Sequence, residues 1–185
     1  MTGQFGENDV AQRLDDFLAS VERRAFKIAL ISTSNQEEAL DIVQDSMMKL
    51  AEKYADKPAN EWPMLFQTIL QSKIRDWYRR QKVRNQWRTF FGGKNDEQDD
   101  DPIQGAPDLT RNKPDDKFIQ TQAMHQLEAA LQSLPLRQRQ AFLLRTWEGL
   151  DVADTAAVMQ CSQGSVKTHY SRAIHTLREL LEDYQ

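Results

Sequence analysis

Basic side chains collect on one face of a helical segment near the C-terminal end of the chain, opposite an apolar stripe. The cations of this face are Lys167, Arg172, His175 and Arg178. No acid interrupts the face before Glu179. Lysine and arginine neutralise DNA phosphates and release their counterions. The pattern therefore indicates a DNA-binding face, although a three-helix unit with a solvated basic surface would show the same spacing.

The elements that would present this face form a helix-turn-helix pattern. Pro135 suits the first turn of a helix, and Gly149 suits its left-handed end. Asp151 can cap a second short helix, and Ser162 can cap the last one from within a four-residue turn at 161–164. A helix-turn-helix places the N-terminal residues of its last helix in the major groove of DNA.

A second basic cluster contains aromatic residues. The segment 73–88 interleaves its cations with Trp77, Tyr78 and Trp87. Aromatic rings stack on unpaired bases, at about 1–3 kcal/mol per base, while arginine and lysine neutralise phosphates. The segment therefore favours contact with opened or single-stranded DNA, and burial of Trp77 in a helical core is the alternative.

Charge and composition divide the chain. The net charge of −4 combines a basic block at 71–91, with seven cations and one acid, and an acidic block at 92–116, with three cations and eight acids. The acidic block also holds three of the six prolines and few apolar residues, so it cannot bury enough surface to fold. We therefore predict an all-α protein with two small helical domains, 1–91 and 117–185, joined by a flexible acidic linker at 92–116.

The N-terminal domain is predicted to contain three amphipathic helices. Asn8 or Asp9 would cap the first helix, and Ser34 or Asn35 would cap the second, whose solvent face is acidic. The third helix is expected to begin at residues 61–62 and to run into the basic block.

Other classes of protein receive little support from the residues. The histidines (His125, His169 and His175) are scattered, no metal-ligand spacing joins them, and no glycine-rich phosphate loop occurs. We therefore expect no enzyme activity, no metal and no cofactor. One cysteine fits a reducing compartment, and no apolar run approaches the roughly 20 residues that cross a membrane. A cytoplasmic protein without membrane insertion is the prediction.

Three segments, in this order, resemble the extracytoplasmic-function (group IV) sigma factors of the sigma-70 family, which serve bacterial RNA polymerase. EEALDIVQDSMMKLAEKY at 37–54 is similar to their region 2.2 helix, and WPMLFQTILQSKIRDWYRRQK at 62–82 is similar to regions 2.3 and 2.4. Residues 134–180 are similar to region 4.2. The resemblance implies a region 2 domain and a region 4 domain in a protein that binds core RNA polymerase and directs promoter-specific transcription initiation.

The resemblance also implies roles for individual residues. Region 4 would read the −35 element with the start of its recognition helix, through Ser162, Gln163, Ser165 and Lys167. Phosphate contacts that set the register would come from Arg137, Arg139, His169 and Arg172. Region 2 would hold the −10 element open through Arg75, Tyr78, Arg79, Arg80 and Lys82. The loop 57–62 would form a pocket for a flipped base.

The resemblance assigns the acidic helix to the polymerase. In the family, region 2.2 docks on the β′ coiled coil, which points here to Glu38, Asp41, Gln44 and Asp45, and region 4 meets the β flap. An anti-sigma factor is a further partner that the resemblance implies. Two alternatives remain open: a polymerase-independent helix-turn-helix regulator, and an interaction adaptor whose basic faces are merely solvated.

Overall fold

The computed structural model describes residues 4–92 and 116–182, with side chains over 9–84 and 123–182. These residues form seven α-helices and one π-helical turn, and no strand. The helices are α1 (Gln4–Thr33), α2 (Gln36–Tyr54), α3 (Trp62–Gly92), α4 (Asp116–Ser133), α5 (Leu136–Phe142), α6 (Val152–Met159) and α7 (Gln163–Glu182). The all-α prediction is confirmed for this part of the chain, whereas the predicted acidic linker at 92–116 lies almost entirely outside it.

The helices belong to two compact units, α1–α3 and α4–α7. In the first unit, α2 packs against both α1 and α3. The core between them is formed by fully buried aliphatic side chains, among them Ile28, Ala29, Leu50, Leu70 and Ile74. Burial of a large aliphatic side chain contributes about 1.5–3 kcal/mol. The amphipathic stripes that the sequence predicts therefore hold this unit together.

Two sets of contacts align α3 in parallel with α1. The Phe17 ring lies 5.9 Å from the Trp62 ring and 6.2 Å from the Phe66 ring, both near the start of α3. Further along the two helices, the Tyr78 hydroxyl donates to the Ser32 carbonyl oxygen over 2.7 Å. The basic part of α3 therefore begins where α1 ends.

Local capping explains the turn between α1 and α2. Ser34 has a left-handed φ of 52°, and Asn35 is the N-cap of α2. The side-chain oxygen of Asn35 accepts the backbone N–H three residues further on, at 3.0 Å, as predicted. The prediction that Asn8 or Asp9 caps α1 is wrong, because that helix already begins at Gln4 and contains both residues.

In the second unit, the predicted helix after Pro135 changes its winding. It becomes a π-helical turn at Leu143–Trp147, closed by a hydrogen bond from the Glu148 N–H to the Leu143 carbonyl oxygen at 3.0 Å. It then ends at Gly149, where φ is 69°. Glycine adopts this conformation at little cost, so the predicted end of the helix is confirmed.

Helices α6 and α7 form the predicted helix-turn-helix, with a shorter turn. The side chains of Asp151 and Ser162 each accept the backbone N–H three residues further on, at 2.7 Å and 3.1 Å, which confirms both predicted caps. The turn occupies residues 160–162 instead of 161–164. Gln160 takes the left-handed conformation, with φ of 54°, directly after α6, and α7 begins straight after Ser162.

Candidate nucleic-acid interface

The basic end of α3 presents a row of cations to solvent. The row begins directly after Tyr78, whose hydroxyl donates a hydrogen bond to Ser32. The exposed cations are Arg79, Arg80, Lys82 and Arg84. Arg79 pairs with Asp76, one turn earlier, over 3.0 Å. Ion pairs this exposed contribute little to stability, so a phosphate group can take the place of the carboxylate. This end of α3 is therefore suited to a nucleic-acid backbone.

Two aromatic residues of the same segment help to pack the first unit. Trp77 and Tyr78 are half-buried and meet edge to face, with ring centroids 5.1 Å apart. The Tyr78 hydroxyl is engaged by Ser32, so the ring is the group that can stack on a base. Arg75 is also half-buried, within the bundle. The Trp87 side chain lies outside the described ones.

The loop before α3 does not offer Trp62 to a base. The Trp62 side chain is buried, and its indole N–H donates to the Tyr54 carbonyl oxygen over 3.0 Å. Trp62 thus fastens the start of α3 to the end of α2. The predicted base pocket at 57–62 must do without this ring, because the indole belongs to the core of the first unit.

Helix α2 presents acidic and apolar side chains together. Among the predicted polymerase contacts, Glu38 is half-buried, and the other three are exposed: Asp41, Gln44 and Asp45. Leu40 and Met48 lie on this surface with 43% and 59% exposure, one turn either side of Gln44. Sequence patterning did not single them out, although their four-residue spacing from Gln44 was the available signal. Such a surface can bury apolar area against another protein, while its acids favour a basic partner.

An ion pair joins the acidic helix to the basic one. Lys73 Nζ on α3 lies 2.8 Å from Asp45 Oδ2 on α2, and the two side chains are 30% and 60% exposed. Asp45 is therefore both a predicted polymerase contact and the partner of a cation on α3. The sequence contains no local signal for this pair, because the two residues are 28 positions apart.

The four predicted −35 contacts lie at the turn that opens α7, with Ser162 as the N-cap and the other three within the first five residues of the helix. Gln163 and Lys167 are exposed. The hydroxyls of Ser162 and Ser165 lie 2.9 Å apart, and the Ser162 oxygen also accepts the Ser165 N–H. Because both serines take part in the helix cap, Gln163 and Lys167 are the better placed of the four to contact bases and phosphates.

Three basic side chains lie together beside this turn. Arg137 donates from Nη1 to the Met159 carbonyl oxygen over 2.8 Å, which fastens α5 to the last residue of α6. Partial burial, together with the guanidinium groups of Arg137 and Arg172, lowers the pKa of His169 below its ordinary value of 6.5. His169 is therefore neutral at pH 7, and an anion placed among these groups would favour its protonation.

Arg139, one of the predicted phosphate contacts, is buried. Its side chain is 2% exposed, and its Nη2 donates to the carbonyl oxygens of Leu134, at 2.8 Å, and of Gln132. These carbonyls lie at the end of α4, where unpaired C=O groups and the helix dipole attract a cation. The assignment of Arg139 to DNA is wrong, because these hydrogen bonds hold its buried guanidinium against the end of α4.

Tyr170 fixes α7 against the end of α5 and the π-helical turn. Its ring stacks on Phe142, with centroids 6.3 Å apart, and the Arg145 guanidinium lies 5.9 Å from the ring centroid. Its hydroxyl is 3.3 Å from the Thr146 hydroxyl. These contacts set the rotation of α7 about its axis, so that Lys167 and Arg172 face outward.

Within 9–84 and 123–182, no group of three or more His, Cys, Asp or Glu side chains could hold a metal ion. No helix among the described residues combines the length and apolar character that would cross a membrane.

Together these features define a helix-turn-helix DNA-binding protein with a second helical unit, which carries one acidic and one basic face. The family model of Sigma-70, region 4, matches residues 124–177, within α4–α7. The ECF RNA polymerase sigma factor EcfG of Rhodopseudomonas palustris is 30% identical over 169 residues, which cover 90% of this chain and 83% of that protein. The ECF RNA polymerase sigma factor SigX of Bacillus subtilis is 25% identical over 161 residues, which cover 85% of this chain and 76% of that protein.

The fold is also found in a solved structure. The sigma factor RpoE from Bartonella quintana, in a crystal with the anti-sigma factor NepR, matches with a TM-score of 0.59 and 24% identity. The match covers 99% of this chain and 100% of that one. The chain belongs to the family of extracytoplasmic-function RNA polymerase sigma factors. Proteins of this family bind core RNA polymerase and direct transcription initiation at promoters, so the resemblance in the sequence is confirmed.

Proposed function

We propose that α2 docks this protein on core RNA polymerase while α3 and α7 contact the −10 and −35 elements of a promoter. The observation that carries the proposal is the separation of charge in the first unit. An acidic and apolar face on α2 repels DNA and steers a basic protein partner. The cations at the end of α3 attract DNA phosphates. One unit can therefore hold polymerase and DNA on different surfaces.

The proposed −10 surface consists of Arg75, Tyr78, Arg79, Arg80 and Lys82. Its exposed cations would contact the phosphates of the open strand, and the Tyr78 ring would stack on an unpaired base. Opening a base costs a few kcal/mol. Contacts between α2 and the polymerase help to offset this cost, so the free protein binds promoters weakly.

The proposed −35 surface is centred on Gln163 and Lys167 at the N-terminal end of α7. Ser162 and Ser165 support it through the helix cap, and Arg137, His169 and Arg172 flank it as phosphate contacts that set the register. Residues 1–91 then act as region 2 and residues 117–185 as region 4, with the acidic stretch 92–116 between them as a tether.

Further assignments follow from the proposed role. The polymerase surfaces are the β′ coiled coil for Glu38, Asp41, Gln44 and Asp45, and the β flap for the second unit. A regulatory anti-sigma factor is supported by the similar sigma factor that was crystallised with NepR. The protein acts in the cytoplasm, where polymerase and promoter DNA are found, and it performs no catalysis of its own.

Reconstituted transcription tests the proposal. The purified chain, added to core polymerase, is expected to co-elute with it and to enable run-off transcription from promoters identified by start-site mapping. The variant Asp41→Lys should lose both, whereas Glu22→Lys, the same charge change at an exposed site on α1, should retain both. Specific DNA binding without any association with core polymerase would favour the polymerase-independent regulator instead.

A further inference from the structure

Lys73 occupies the junction between the acidic surface of α2 and the basic surface of α3. Successive residues of an α-helix are about 100° apart, so residues seven and eleven positions further on return to within about 20° of the starting direction. Lys73 therefore shares its face with Arg80 and Arg84, both of which are exposed. On α2, Glu38, Asp41 and Asp45 form an equivalent acidic row. The two rows meet at the 2.8 Å contact between Lys73 and Asp45.

We propose that this ion pair couples polymerase binding to DNA binding by exchange of partners. In the free protein, the Asp45 carboxylate holds the Lys73 ammonium group and neutralises one end of the cationic row. When a basic group of the polymerase engages Asp45, the ammonium group is released to a DNA phosphate. Lys73 thus contacts DNA, and extends the DNA surface, only in the holoenzyme. The inference rests on the proposed roles of α2 and α3.

The exposure of the pair makes such an exchange feasible. A buried ion pair would resist separation, because each charge would be left without a partner in a low-dielectric interior. Lys73 and Asp45 are 30% and 60% exposed, so solvent reaches both groups when they part. Exposed pairs are weak, and the expected coupling is about twofold to fivefold in affinity. By thermodynamic reciprocity, DNA held by Lys73 tightens polymerase binding by the same factor.

The free chain provides the first test, with a labelled single-stranded oligonucleotide of mixed sequence as the probe and fluorescence anisotropy as the measurement. Arg80→Gln, which removes a cation of the same row that no described acid neutralises, should weaken binding and reduce the salt slope by about 0.7. Lys73→Gln should change the affinity and the salt slope by less than half as much as Arg80→Gln does. Asp45→Asn should tighten binding about twofold to fivefold, and by more than Asp41→Asn, which removes an acid one turn away.

The double variant isolates the exchange. In the Asp45→Asn background, Lys73→Gln should weaken binding as strongly as Arg80→Gln does. Equal effects of Lys73→Gln in the wild-type and Asp45→Asn backgrounds would overturn the proposal, because Lys73 would then contact DNA independently of Asp45. If Arg80→Gln leaves binding unchanged, α3 is not the DNA surface, and both the proposed function and the inference fail.

The holoenzyme provides the second test. Open-complex formation is measured against salt concentration at a promoter identified by start-site mapping, with core polymerase alone as the background. Lys73→Gln should now reduce the salt slope by about one, since one phosphate contact is lost. An unchanged slope, in a holoenzyme that still responds to Arg80→Gln, would show that Lys73 stays with Asp45 and would overturn the inference alone.

Discussion

The hydroxyl of Tyr78 on α3 donates a hydrogen bond to the carbonyl oxygen of Ser32 on α1, over 2.7 Å. The acceptor lies in the last turn of α1, where a helix has carbonyl groups without partners of their own. The bond therefore completes the end of one helix and, at the same time, fixes the point on another from which the exposed cations continue. The Tyr78 side chain thus contributes both to the stability of the first unit and to the candidate −10 surface.

Replacement of Tyr78 by phenylalanine should separate these two contributions. The variant keeps the ring but leaves the Ser32 carbonyl without this donor, so the free energy of unfolding should fall by about 0.5–1.5 kcal/mol in urea denaturation. Initiation should persist, because stacking needs only the ring. Tyr78→Ala should lose initiation as well. Equal loss of initiation in both variants would show that the hydroxyl, and not the ring, serves the DNA.

Charge reversal at the end of α3 should abolish promoter opening. In Arg79→Glu/Arg80→Glu the phosphates of the open strand meet two acids, so permanganate reactivity of the −10 region should disappear in the holoenzyme. Binding of the full chain to a −35 duplex should survive, since that contact belongs to α7. The control is Arg13→Glu/Arg23→Glu, the same charge change at exposed sites of α1. Undiminished opening by the α3 variant would refute the assignment.

Lys167 should contribute one phosphate contact or its equivalent to −35 binding. Lys167→Gln is expected to weaken duplex binding and to reduce the slope of log K against log salt by about one. Arg178→Gln serves as the matched control. It removes an exposed cation on the same helix, but three turns from the end that enters the groove. A larger loss at Arg178 than at Lys167 would mean that α7 docks in a different orientation.

His169 should make −35 binding depend on pH. Burial and the neighbouring Arg137 and Arg172 lower its pKa in the free protein, so the imidazole is neutral at pH 7. A DNA phosphate at this site raises that pKa, and binding then takes up a proton. Affinity should therefore increase as the pH falls from about 8 to about 6, through the pKa of the bound state.

Titration of the −35 duplex with the full chain at several pH values measures this effect. His169→Gln should flatten the dependence, and His175→Gln, at an exposed position that pairs with Glu179 over 3.3 Å, should not. A wild-type affinity that does not change with pH, or one that weakens in acid, would place the imidazole away from any phosphate.

Arg139 should prove to be a stabilising residue of the second unit. Arg139→Met retains much of the volume but leaves the carbonyl oxygens of Gln132 and Leu134 without this donor. The expected loss is about 2–6 kcal/mol, because each of the two unsatisfied buried carbonyl groups costs about 1–3 kcal/mol. Hydrogen exchange of α4–α7 in the full chain measures it. If the variant keeps native protection from hydrogen exchange but binds DNA more weakly, Arg139 is a phosphate contact after all.

The extent of sequence-based prediction is clearest where signals are local. Asn35, Asp151 and Ser162 cap their helices as expected, because a capping side chain bonds to a backbone N–H only a few residues away. Gly149 ends its helix for a reason equally local, its freedom to adopt a positive φ. The turn before α7 begins one residue earlier and ends two residues earlier than predicted, because Gln160 takes a left-handed conformation that its residue type does not indicate.

The amino-acid sequence by itself determined the helices, the caps of α2, α6 and α7, the basic and acidic faces and the family. Each of these follows from the spacing of residue types along the chain. Tertiary structure decided which members of a face are available. Arg137 and Arg139 are two residues apart and alike in type, yet only the guanidinium of Arg139 is buried against the carbonyl oxygens at the end of α4. The pairing of Asp45 with Lys73 likewise depends on the rotation of one helix against another, which spacing within either helix cannot specify.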